Sequence, residues 1–249
     1  MKELTQSGLS IVIPTFNELE NIEPLFEKIL EFDSVTTFKY EIIIVDGNSN
    51  DGTSDLIIKN IKDYSLSNVK LIKSNKAEGY GADIWIGLSS SAYNLLAWTH
   101  ADLQTDLLDL IQGYEISNKS FEEQILIKGN RKSRPIFDAI FTFGMSVIVL
   151  LKLKIWLHDI NAQPKIFHRK LFFEISNSRE IPKDFSLDLF LLIEARTRGY
   201  EIKTFSVYFL NRKFGMAKGG GGSLMNRIKL IKRTLSYISN LSKKRDFNL

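Results

Sequence analysis

The first 110 residues alternate between short apolar runs and segments in which apolar residues recur every three or four positions. The apolar runs are Leu9–Ile13, Tyr40–Val45, Val69–Ile72 and Leu95–Thr99. Each predicts a buried strand, and the segments between them, for example Ile22, Leu25, Phe26 and Ile29, predict helices that bury one face. Successive strand–turn–helix units require right-handed crossovers. The pattern therefore predicts an α/β fold, a single domain with a mostly parallel central sheet flanked by helices.

The pattern changes after the fourth unit. Ile125–Lys128 predicts another strand, and the basic stretch Gly129–Pro135 predicts a loop. Ala139–Leu151 is the most apolar run of the chain, but its thirteen residues are too few to span a bilayer. It predicts either a core helix or one that lies against a membrane or a partner. Phe185–Ala195 predicts a further buried helix, and Glu201–Phe209 a strand.

The end of the chain predicts an amphipathic basic helix after the glycine run Gly219–Gly222. Its apolar positions are Leu224, Ile228, Ile231, Leu235 and Ile238. Basic residues such as Arg227 and Lys232 lie between them. This arrangement suits an anionic lipid surface, and equally a helix docked on the domain with a solvated basic face. We therefore divide the chain into a main domain, residues 1–218, and a hinge with a C-terminal amphipathic helix, residues 219–249.

Composition narrows the class of protein. The 249 residues are 44% hydrophobic, enough for a large core. The chain has no cysteine, which excludes disulfides and thiolate metal sites and agrees with a reducing cytoplasm. Its net charge of +4 is too small to indicate nucleic acid binding. The polar stretch Met1–Gly8 lacks the apolar core of a signal peptide.

Three polar turns, each with at least one carboxylate, follow three of the predicted strands: Pro14–Glu18, Asp46–Thr53 and His100–Gln104. Ligands of open α/β sheets bind beyond the carboxyl ends of the strands, so we expect these turns to share one site. Asp102 could hold Mg²⁺ or Mn²⁺, and the cation could hold a diphosphate. A helix cap is the alternative for Asp102, but Asp106 directly precedes the next helical pattern and is the better cap.

The other acidic residues of these turns also allow two roles. Asp46 could accept a hydrogen bond from a ribose hydroxyl or a base N–H. For Asp51 the favoured role is a turn and helix cap, and Glu18 could be a first-turn helix residue. No strand is followed by GxGxxG, GxxxxGK[ST] or GxSxG, which disfavours dinucleotide-dependent hydride transfer, P-loop phosphotransfer and that type of serine hydrolysis. The three histidines have no zinc-type spacing.

The order IPTFNE, VDGNSNDGT and ADLQ resembles the family 2 glycosyltransferases with the GT-A fold, which is Rossmann-like. Within that family it is most similar to the polyprenyl-phosphate (dolichol-phosphate) mannosyl- and glucosyltransferase branch. The resemblance runs from Leu9 to about Lys218. The motifs are individually short, and their order and spacing together carry the match.

The resemblance implies a role for each matching residue. The nucleotide contacts are implied to be Pro14, Phe16, Asn17 and Glu18. Asp46 is implied to bind the nucleoside. Asp102, the last acid of the family's DxD motif, is implied to bind the metal, and Gln104 to face the sugar-phosphate.

Later segments match as well. Gly129-Asn130-Arg131 resembles the family's GSR element, which implies that Arg131 lies near the acceptor or the sugar phosphate. Asp188 falls where the family carries an acid near the acceptor. The segment from Arg212 to Lys218 resembles the RxxGxSK element, whose arginine and lysine engage phosphates. Cations beside a leaving diphosphate stabilise the charge that develops there.

Two positions depart from the family's motifs. The first acid of DxD is His100, and a neutral imidazole ligates Mn²⁺ but is a poorer ligand for Mg²⁺. The metal could then rest on Asp102 and the diphosphate alone. Ala217 replaces the serine of the last motif, which removes a hydroxyl donor and leaves both cations.

The resemblance implies an inverting glycosyltransferase that moves a hexose from GDP-mannose or a UDP-hexose, peripherally attached at the cytoplasmic face of a membrane. The expected acceptor is a polyprenyl phosphate, which needs no strong base. Transfer to a sugar hydroxyl in cell-surface polysaccharide synthesis is the alternative, and Asp188 would then be the base. A nucleotide-sugar-binding protein without turnover, caused by His100, is the second alternative. A nucleotidyltransferase is disfavoured because the first turn has neither glycine nor a cation.

Overall fold

The computed structural model describes residues 6–120, 124–132, 136–177, 181–210, 212 and 232–239. Strands and helices alternate along most of these residues. The strands are β1 (Gln6–Thr15), β2 (Tyr40–Asp46), β3 (Val69–Lys73), β4 (Tyr93–Trp98), β5 (Ile125–Lys132), β6 (Lys165–His168) and β7 (Glu201–Tyr208). The helices are α1 (Leu19–Val35), α2 (Thr53–Asp63), α3 (Tyr80–Ser89), α4 (Asp109–Ser120), α5 (Ile136–Leu153), α6 (Arg169–Ser176), α7 (Ser186–Thr197) and α8 (232–239).

One seven-stranded sheet organises the described chain, in the order β3-β2-β1-β4-β6-β5-β7. All neighbours are parallel except β6, which is antiparallel to both β4 and β5. Ile11 of β1 lies opposite Ile42 of β2 and Ala97 of β4. The predicted α/β fold with a mostly parallel sheet is confirmed. The order of strands also places the ends of β1, β2 and β4 side by side.

A hydrophobic core fills each face of the sheet. Ile11 and Ile13 of β1 point to a core that α1, α2 and α4 complete, and Val12 points to a second core that α3, α5, α6 and α7 complete. Because successive side chains of a strand point to opposite faces, a strand covered on both sides must be apolar throughout. This is why the predicted strands are unbroken apolar runs.

The second half of the sheet differs from the prediction. Gly129–Lys132, predicted as part of a loop, lies in β5, which pairs with β7 over its whole length up to Lys132 opposite Tyr208. The prediction was wrong there because the ladder with β7 outweighs the polar composition. Gly129 is also required locally, since a Cβ on it would lie 2.1 Å from the backbone oxygen of Gln163. Strand β6 and helix α6 had no counterpart among the predictions.

The apolar run 139–151 forms most of α5. Val149 and Leu153 are fully buried, whereas Leu151 on the opposite face is 76% exposed. None of the described helices combines the length and apolarity that crossing a bilayer requires. In α8 the side chain of Ile238 is buried in the same core as Val149 and Leu153. This part of the C-terminal helix is therefore docked on the domain, while the predicted hinge, residues 219–222, lies outside the described residues.

A buried acid lies beneath the turn that follows β2. Asp83 of α3 is 3% exposed, and its Oδ1 has no hydrogen-bond partner among the described residues. Its Oδ2 lies 2.6 Å from where a Cβ on Gly47 would stand. Burial, together with the negative charges of Asp46 and Glu78, raises the pKa of Asp83 to about 7. The folded protein therefore favours the protonated form of this acid.

We predict that Asp83 makes the fold less stable as pH rises. Folding raises the pKa of Asp83 from about 4 to about 7. The stability that such an acid contributes is fully present below its unfolded pKa and is lost as the pH rises through its folded pKa. Between pH 5 and pH 8 the free energy of unfolding should fall by on the order of 2 kcal/mol more in the wild type than in Asp83→Asn. Urea denaturation at the two pH values measures it, and parallel profiles would contradict it.

Candidate functional site

The turns that follow β1 and β2 are joined by hydrogen bonds from backbone to side chain. The Asn17 backbone N–H donates to Ser49 Oγ at 2.8 Å, and the Asn50 N–H donates to Asn17 Oδ1 at 3.0 Å. The Glu18 N–H donates to Thr53 Oγ1 at 3.0 Å. Asn17 has a φ of 49°, a left-handed conformation that asparagine tolerates better than most residues. The two turns therefore form one rigid unit at the edge of the sheet.

The two aspartates of the second turn have structural partners. Asp46 is 2% exposed and accepts hydrogen bonds from Ser49 Oγ and Ser54 Oγ. Asp51 accepts from the Thr53 N–H at 3.0 Å and from the Leu19 N–H at 3.2 Å, as expected of a turn and helix cap. Its role in the turn is confirmed, whereas the N-cap residue of α2 is Gly52. The nucleoside-binding role of Asp46 stays a prediction, and the described contacts show that it shapes the turn.

Asp102 and Asp106 have different roles in the turn after β4. Asp106 Oδ1 accepts from the Leu108 N–H at 3.0 Å, which confirms its predicted capping role. Asp102 Oδ1 accepts from the Gln104 N–H at 3.2 Å, and its side chain is 15% exposed. Asp102 thus lies at the surface of the site, without a helix to cap.

Arg212 joins the first and third turns. One of its nitrogens, Nη2, donates to both Glu18 carboxylate oxygens at 2.6 Å, and Nη1 lies 3.8 Å from Asp102 Oδ2. Leu210 brings the arginine there, because its N–H donates to the Gln104 backbone oxygen at 2.8 Å and its own oxygen accepts from Gln104 Nε2 at 3.3 Å. The chain leaving β7 therefore crosses the carboxyl edge of the sheet. Lys218 and Ala217 lie outside the described residues.

Arg131, near the end of β5, lies beside the segment that leaves β7. Its guanidinium is 5.0 Å from the centre of the Phe209 ring, and its Nε donates to Asp159 Oδ1 at 3.0 Å. The charge and hydrogen bonds of Arg131 outweigh the effect of burial and lower the pKa of Asp159. Lys128 is buried below it, and burial with the nearby charge of Lys165 lowers the pKa of Lys128 to about 7. Asp159 therefore already binds one edge of the planar Arg131 guanidinium.

Asp188 lies in the interior, in the first turn of α7. It is 1% exposed, its Oδ1 accepts a hydrogen bond from Gln163 Nε2 at 2.9 Å, and it forms an ion pair with the buried Lys165. Its role as a general base stays a prediction. The geometry sets a condition for it, because Oδ1 of this buried carboxylate already holds both Lys165 and Gln163.

His100, the second predicted metal ligand, is held by an aromatic stack. Its ring centre is 5.3 Å from that of Tyr80, with 23° between the planes, and Phe185 also stacks on Tyr80, at 4.4 Å and 12°. Burial and the charge of Asp188 raise the pKa of Tyr80 well above its usual range, so its phenol is protonated. Among the described residues, no hydrogen bond engages a ring nitrogen of His100.

The donor set at this edge suits a divalent cation that a ligand completes. Asp102 supplies a surface carboxylate and His100 an imidazole two positions away in the same turn. Mg²⁺ and Mn²⁺ in phosphate sites are commonly held by one or two side chains together with the phosphate oxygens. The described side chains contain no group of three or more histidine, aspartate or glutamate residues placed to hold a metal.

Several residues of this region had no signal in the sequence. Tyr80, Lys165 and Asp159 come from segments without a recognisable motif, and only the fold brings them to the carboxyl edge. Lys165 in β6, like Lys128 in β5, is an unusual residue type for a buried strand position. Phe16, in the first turn, is 40% exposed, so a ligand at this edge could contact it.

Relatives of the chain carry glycosyltransferase names. An uncharacterized glycosyltransferase of Synechocystis is 35% identical over 51% of this chain and 38% of its own. Dolichyl-phosphate beta-glucosyltransferase of Dictyostelium discoideum is 24% identical over 65% of this chain and 54% of its own. Undecaprenyl-phosphate 4-deoxy-4-formamido-L-arabinose transferase of Yersinia pestis is 23% identical over 90% of this chain and 65% of its own. The chain thus spans 38 to 65% of the length of these relatives.

Solved structures share the fold at low identity. Glucosyl-3-phosphoglycerate synthase of Mycobacterium tuberculosis, in complex with Mn²⁺, uridine diphosphate and glucosyl-3-phosphoglycerate, matches with a TM-score of 0.69 at 15% identity, over 95% of this chain and 80% of its own. A mannosyltransferase of Pyrobaculum calidifontis, in complex with GDP-mannose and Mn²⁺, matches with a TM-score of 0.61 at 17% identity. The match covers 85% of this chain and 59% of that protein. These structures establish the fold.

The family model described as glycosyl transferase family 2 matches residues 10–114, the segment from β1 into α4. That segment holds all three polar turns and the carboxylates Glu18, Asp46 and Asp102. The predicted GT-A fold agrees with the structural neighbours. Residues 10–114 are therefore similar to the family 2 glycosyltransferases, and the chain has the fold of the solved GT-A structures.

Proposed function

We propose that this protein is an inverting glycosyltransferase that moves a hexose from a nucleoside-diphosphate sugar to a polyprenyl phosphate. The observation that carries the proposal is the meeting of Glu18, Asp102 and Arg212 at the carboxyl edge of β1 and β4, within and beside the matched family segment. This is the edge at which open α/β sheets bind ligands.

Charge explains why the donor needs a cation. A diphosphate that approaches the carboxylates of Glu18 and Asp102 is repelled unless positive charge lies between them. A bound Mg²⁺ or Mn²⁺, held by Asp102 and His100, would supply that charge and neutralise the leaving diphosphate. The structural neighbours in complex with Mn²⁺ and nucleotides support this assignment.

Arg212 supplies the second positive charge in this proposal. Its guanidinium already lies at the edge, and its five N–H groups suit phosphate oxygens as well as carboxylates. A diphosphate would compete with Glu18 for the same donors. Arg131 would face the acceptor or sugar phosphate, Lys218 would bind phosphate, and Gln104 would position both the sugar-phosphate and the segment that carries Arg212.

The chemistry is a single displacement. An oxygen of the acceptor phosphate bonds to the anomeric carbon while the bond from that carbon to the diphosphate oxygen breaks, and the nucleoside diphosphate leaves with the electron pair. A phosphate acceptor is already ionised, so no general base is needed. This agrees with the buried, paired state of Asp188. A sugar hydroxyl would have to reach this buried carboxylate, whose Oδ1 already pairs with Lys165.

The acceptor class is supported by the relatives and by one surface. The Dictyostelium and Yersinia relatives are named for transfer to dolichyl and undecaprenyl phosphate. On α5 and just after it, four large apolar side chains are 40 to 76% exposed: Phe143, Leu150, Leu151 and Trp156. The first three share one helix face, at intervals of seven and eight.

We propose that this apolar face rests on an anionic membrane. Lys152 and Lys154 are exposed beside it, as are Lys232 and Arg233 of α8, whose Ile238 packs in the core under α5. Apolar and aromatic side chains flanked by lysines are typical of helices that lie in the lipid interface. Attachment at the cytoplasmic face would bring the site to a lipid-linked acceptor.

We predict that the surface carboxylate Asp102 is required for transfer. Purified protein would be given GDP-mannose or UDP-hexoses with Mg²⁺ or Mn²⁺, with and without a short polyprenyl phosphate. Release of nucleoside diphosphate from one donor should rise with the lipid. It should fall at least about 100-fold in Asp102→Asn, because the charge that holds the cation is lost.

Asp106→Asn is the matched control, since Asp106 is a neighbouring, partly exposed carboxylate whose partners are the Leu108 N–H and Lys28. Its release rate should stay within about twofold of the wild type. Release that does not depend on lipid would favour a hydroxyl acceptor. Donor binding without release under either cation would favour the binding-only alternative and contradict the proposal.

We predict that Leu151→Glu weakens attachment to membranes. Leu151 is 76% exposed at the centre of the apolar face, and a charge there would cost several-fold in binding to vesicles that contain anionic lipid. Co-flotation with such vesicles measures it. Ile58→Glu, on the 49% exposed Ile58 of α2, is the matched control and should float like the wild type. No flotation of the wild type would contradict the proposed membrane contact.

A further inference from the structure

Tyr80 connects three parts of the chain that the family motifs do not join. It is the first residue of α3, and its ring lies between His100 in the turn after β4 and Phe185 at the start of α7. The backbone beside it is fixed, because the N–H groups of Gly81 and Ala82 donate to the Lys183 oxygen at 2.9 and 3.2 Å. The position of the tyrosine therefore depends on both α3 and the approach to α7.

The hydroxyl of Tyr80 is also held. Gln163 Nε2 donates to Tyr80 Oη at 3.2 Å and to Asp188 Oδ1 at 2.9 Å. Asp188 is in turn paired with Lys165, which is completely buried. The network begins in the core between β6 and α7 and ends at the Tyr80 ring. A ring fixed at its face and at its hydroxyl cannot rotate freely.

Stacking fixes the plane of the His100 imidazole. The lone pair through which an imidazole binds a metal lies in the plane of the ring, so the plane decides where a cation can be bound. The Tyr80 ring covers one face and leaves the ring edge, which carries both nitrogens, unobstructed by the stack. In other metal sites, a hydrogen bond to the second nitrogen usually sets this orientation. In this protein the stacked Tyr80 ring is placed to set the orientation of the His100 imidazole instead.

We propose that Tyr80 is the positioning residue of His100, orienting the imidazole toward the divalent cation of the donor complex. This inference rests on the proposed function and extends it to a residue outside the family's motifs. It gives the buried Asp188, Gln163 and Lys165 a joint role as the support of Tyr80. It also explains how a histidine can take the place of the first acid of DxD.

The test combines Mn²⁺ affinity with histidine NMR. The chain has three histidines, His100, His158 and His168, so their ring C–H signals can be assigned with single variants. With UDP or GDP present, a small amount of Mn²⁺ should broaden the His100 signal selectively in the wild type. His158 and His168 are internal controls. Before Mn²⁺ is added, the His100 signal should show the ring-current shift caused by Tyr80.

Tyr80→Leu removes the ring, and Tyr80→Phe keeps it and removes the hydroxyl. Loss of a residue that orients a ligand costs about 10- to 100-fold in metal affinity. Tyr80→Leu should therefore raise the Mn²⁺ concentration for half-maximal nucleotide binding by about tenfold and abolish both the ring-current shift and the selective broadening. Tyr80→Phe should retain the shift and lie closer to the wild type than Tyr80→Leu.

A double-mutant cycle separates positioning from a structural effect. In a His100→Ala background, Tyr80→Leu should cause no further loss of Mn²⁺ affinity, because its effect acts through the imidazole. Tyr64→Leu removes a tyrosine that stacks on Phe26 far from the turn after β4, and should change only thermal stability. If Tyr80→Leu fails to fold, Phe185→Leu takes its place, since it removes the ring behind Tyr80 and should weaken the broadening.

Three results would overturn the inference. They are equal broadening of His100 with and without the Tyr80 ring, an undiminished effect of Tyr80→Leu in the His100→Ala background, and no selective broadening in a wild type that still turns over donor. The last result leaves the proposed function intact. Absence of both nucleotide binding and donor turnover would instead overturn the proposed function, and the inference with it.

Discussion

The guanidinium of Arg212, held between Glu18 and Asp102, is the interaction on which the site depends. It joins a residue that follows the last strand of the sheet to two turns that lie 194 and 110 positions earlier in the chain. Without a cation there, two carboxylates at one sheet edge would repel each other. The same arrangement fits an enzyme whose ligand is anionic, because a phosphate can take over the donors that the carboxylates hold.

The two halves of the domain contribute opposite charges to this edge. The segment matched by the family model supplies the carboxylates Glu18, Asp46 and Asp102 on parallel strands. The second half, built around the antiparallel β6, supplies Arg131 and Arg212, with Lys165 buried beneath. Each buried cation there has a carboxylate or backbone oxygen as partner, as burial requires. The second half thus brings the cation Arg212 to the carboxylates Glu18 and Asp102 of the first half.

The local sequence pattern was sufficient to predict the first half of the fold but not the second half. The strands there are apolar because both faces are covered, and polar turns follow them, so the fold and the meeting of these turns at one edge could be predicted. Gly129–Lys132 was predicted as a loop because its residues are polar, and only pairing with β7 makes it a strand. The roles of Tyr80 and Asp159 depend on contacts between segments that are distant in the sequence, and a local sequence pattern cannot show such contacts. The burial of Asp188 likewise follows from its pairing with Lys165.

A crystal structure with a nucleoside diphosphate and Mn²⁺ tests the central claim most directly. We predict that the diphosphate lies at the carboxyl edge of β1 and β4, with the metal on Asp102 and the Arg212 guanidinium on a phosphate oxygen instead of on Glu18. A nucleotide bound elsewhere, or one bound at this edge while Arg212 stays paired with Glu18 and away from the phosphates, would contradict the account.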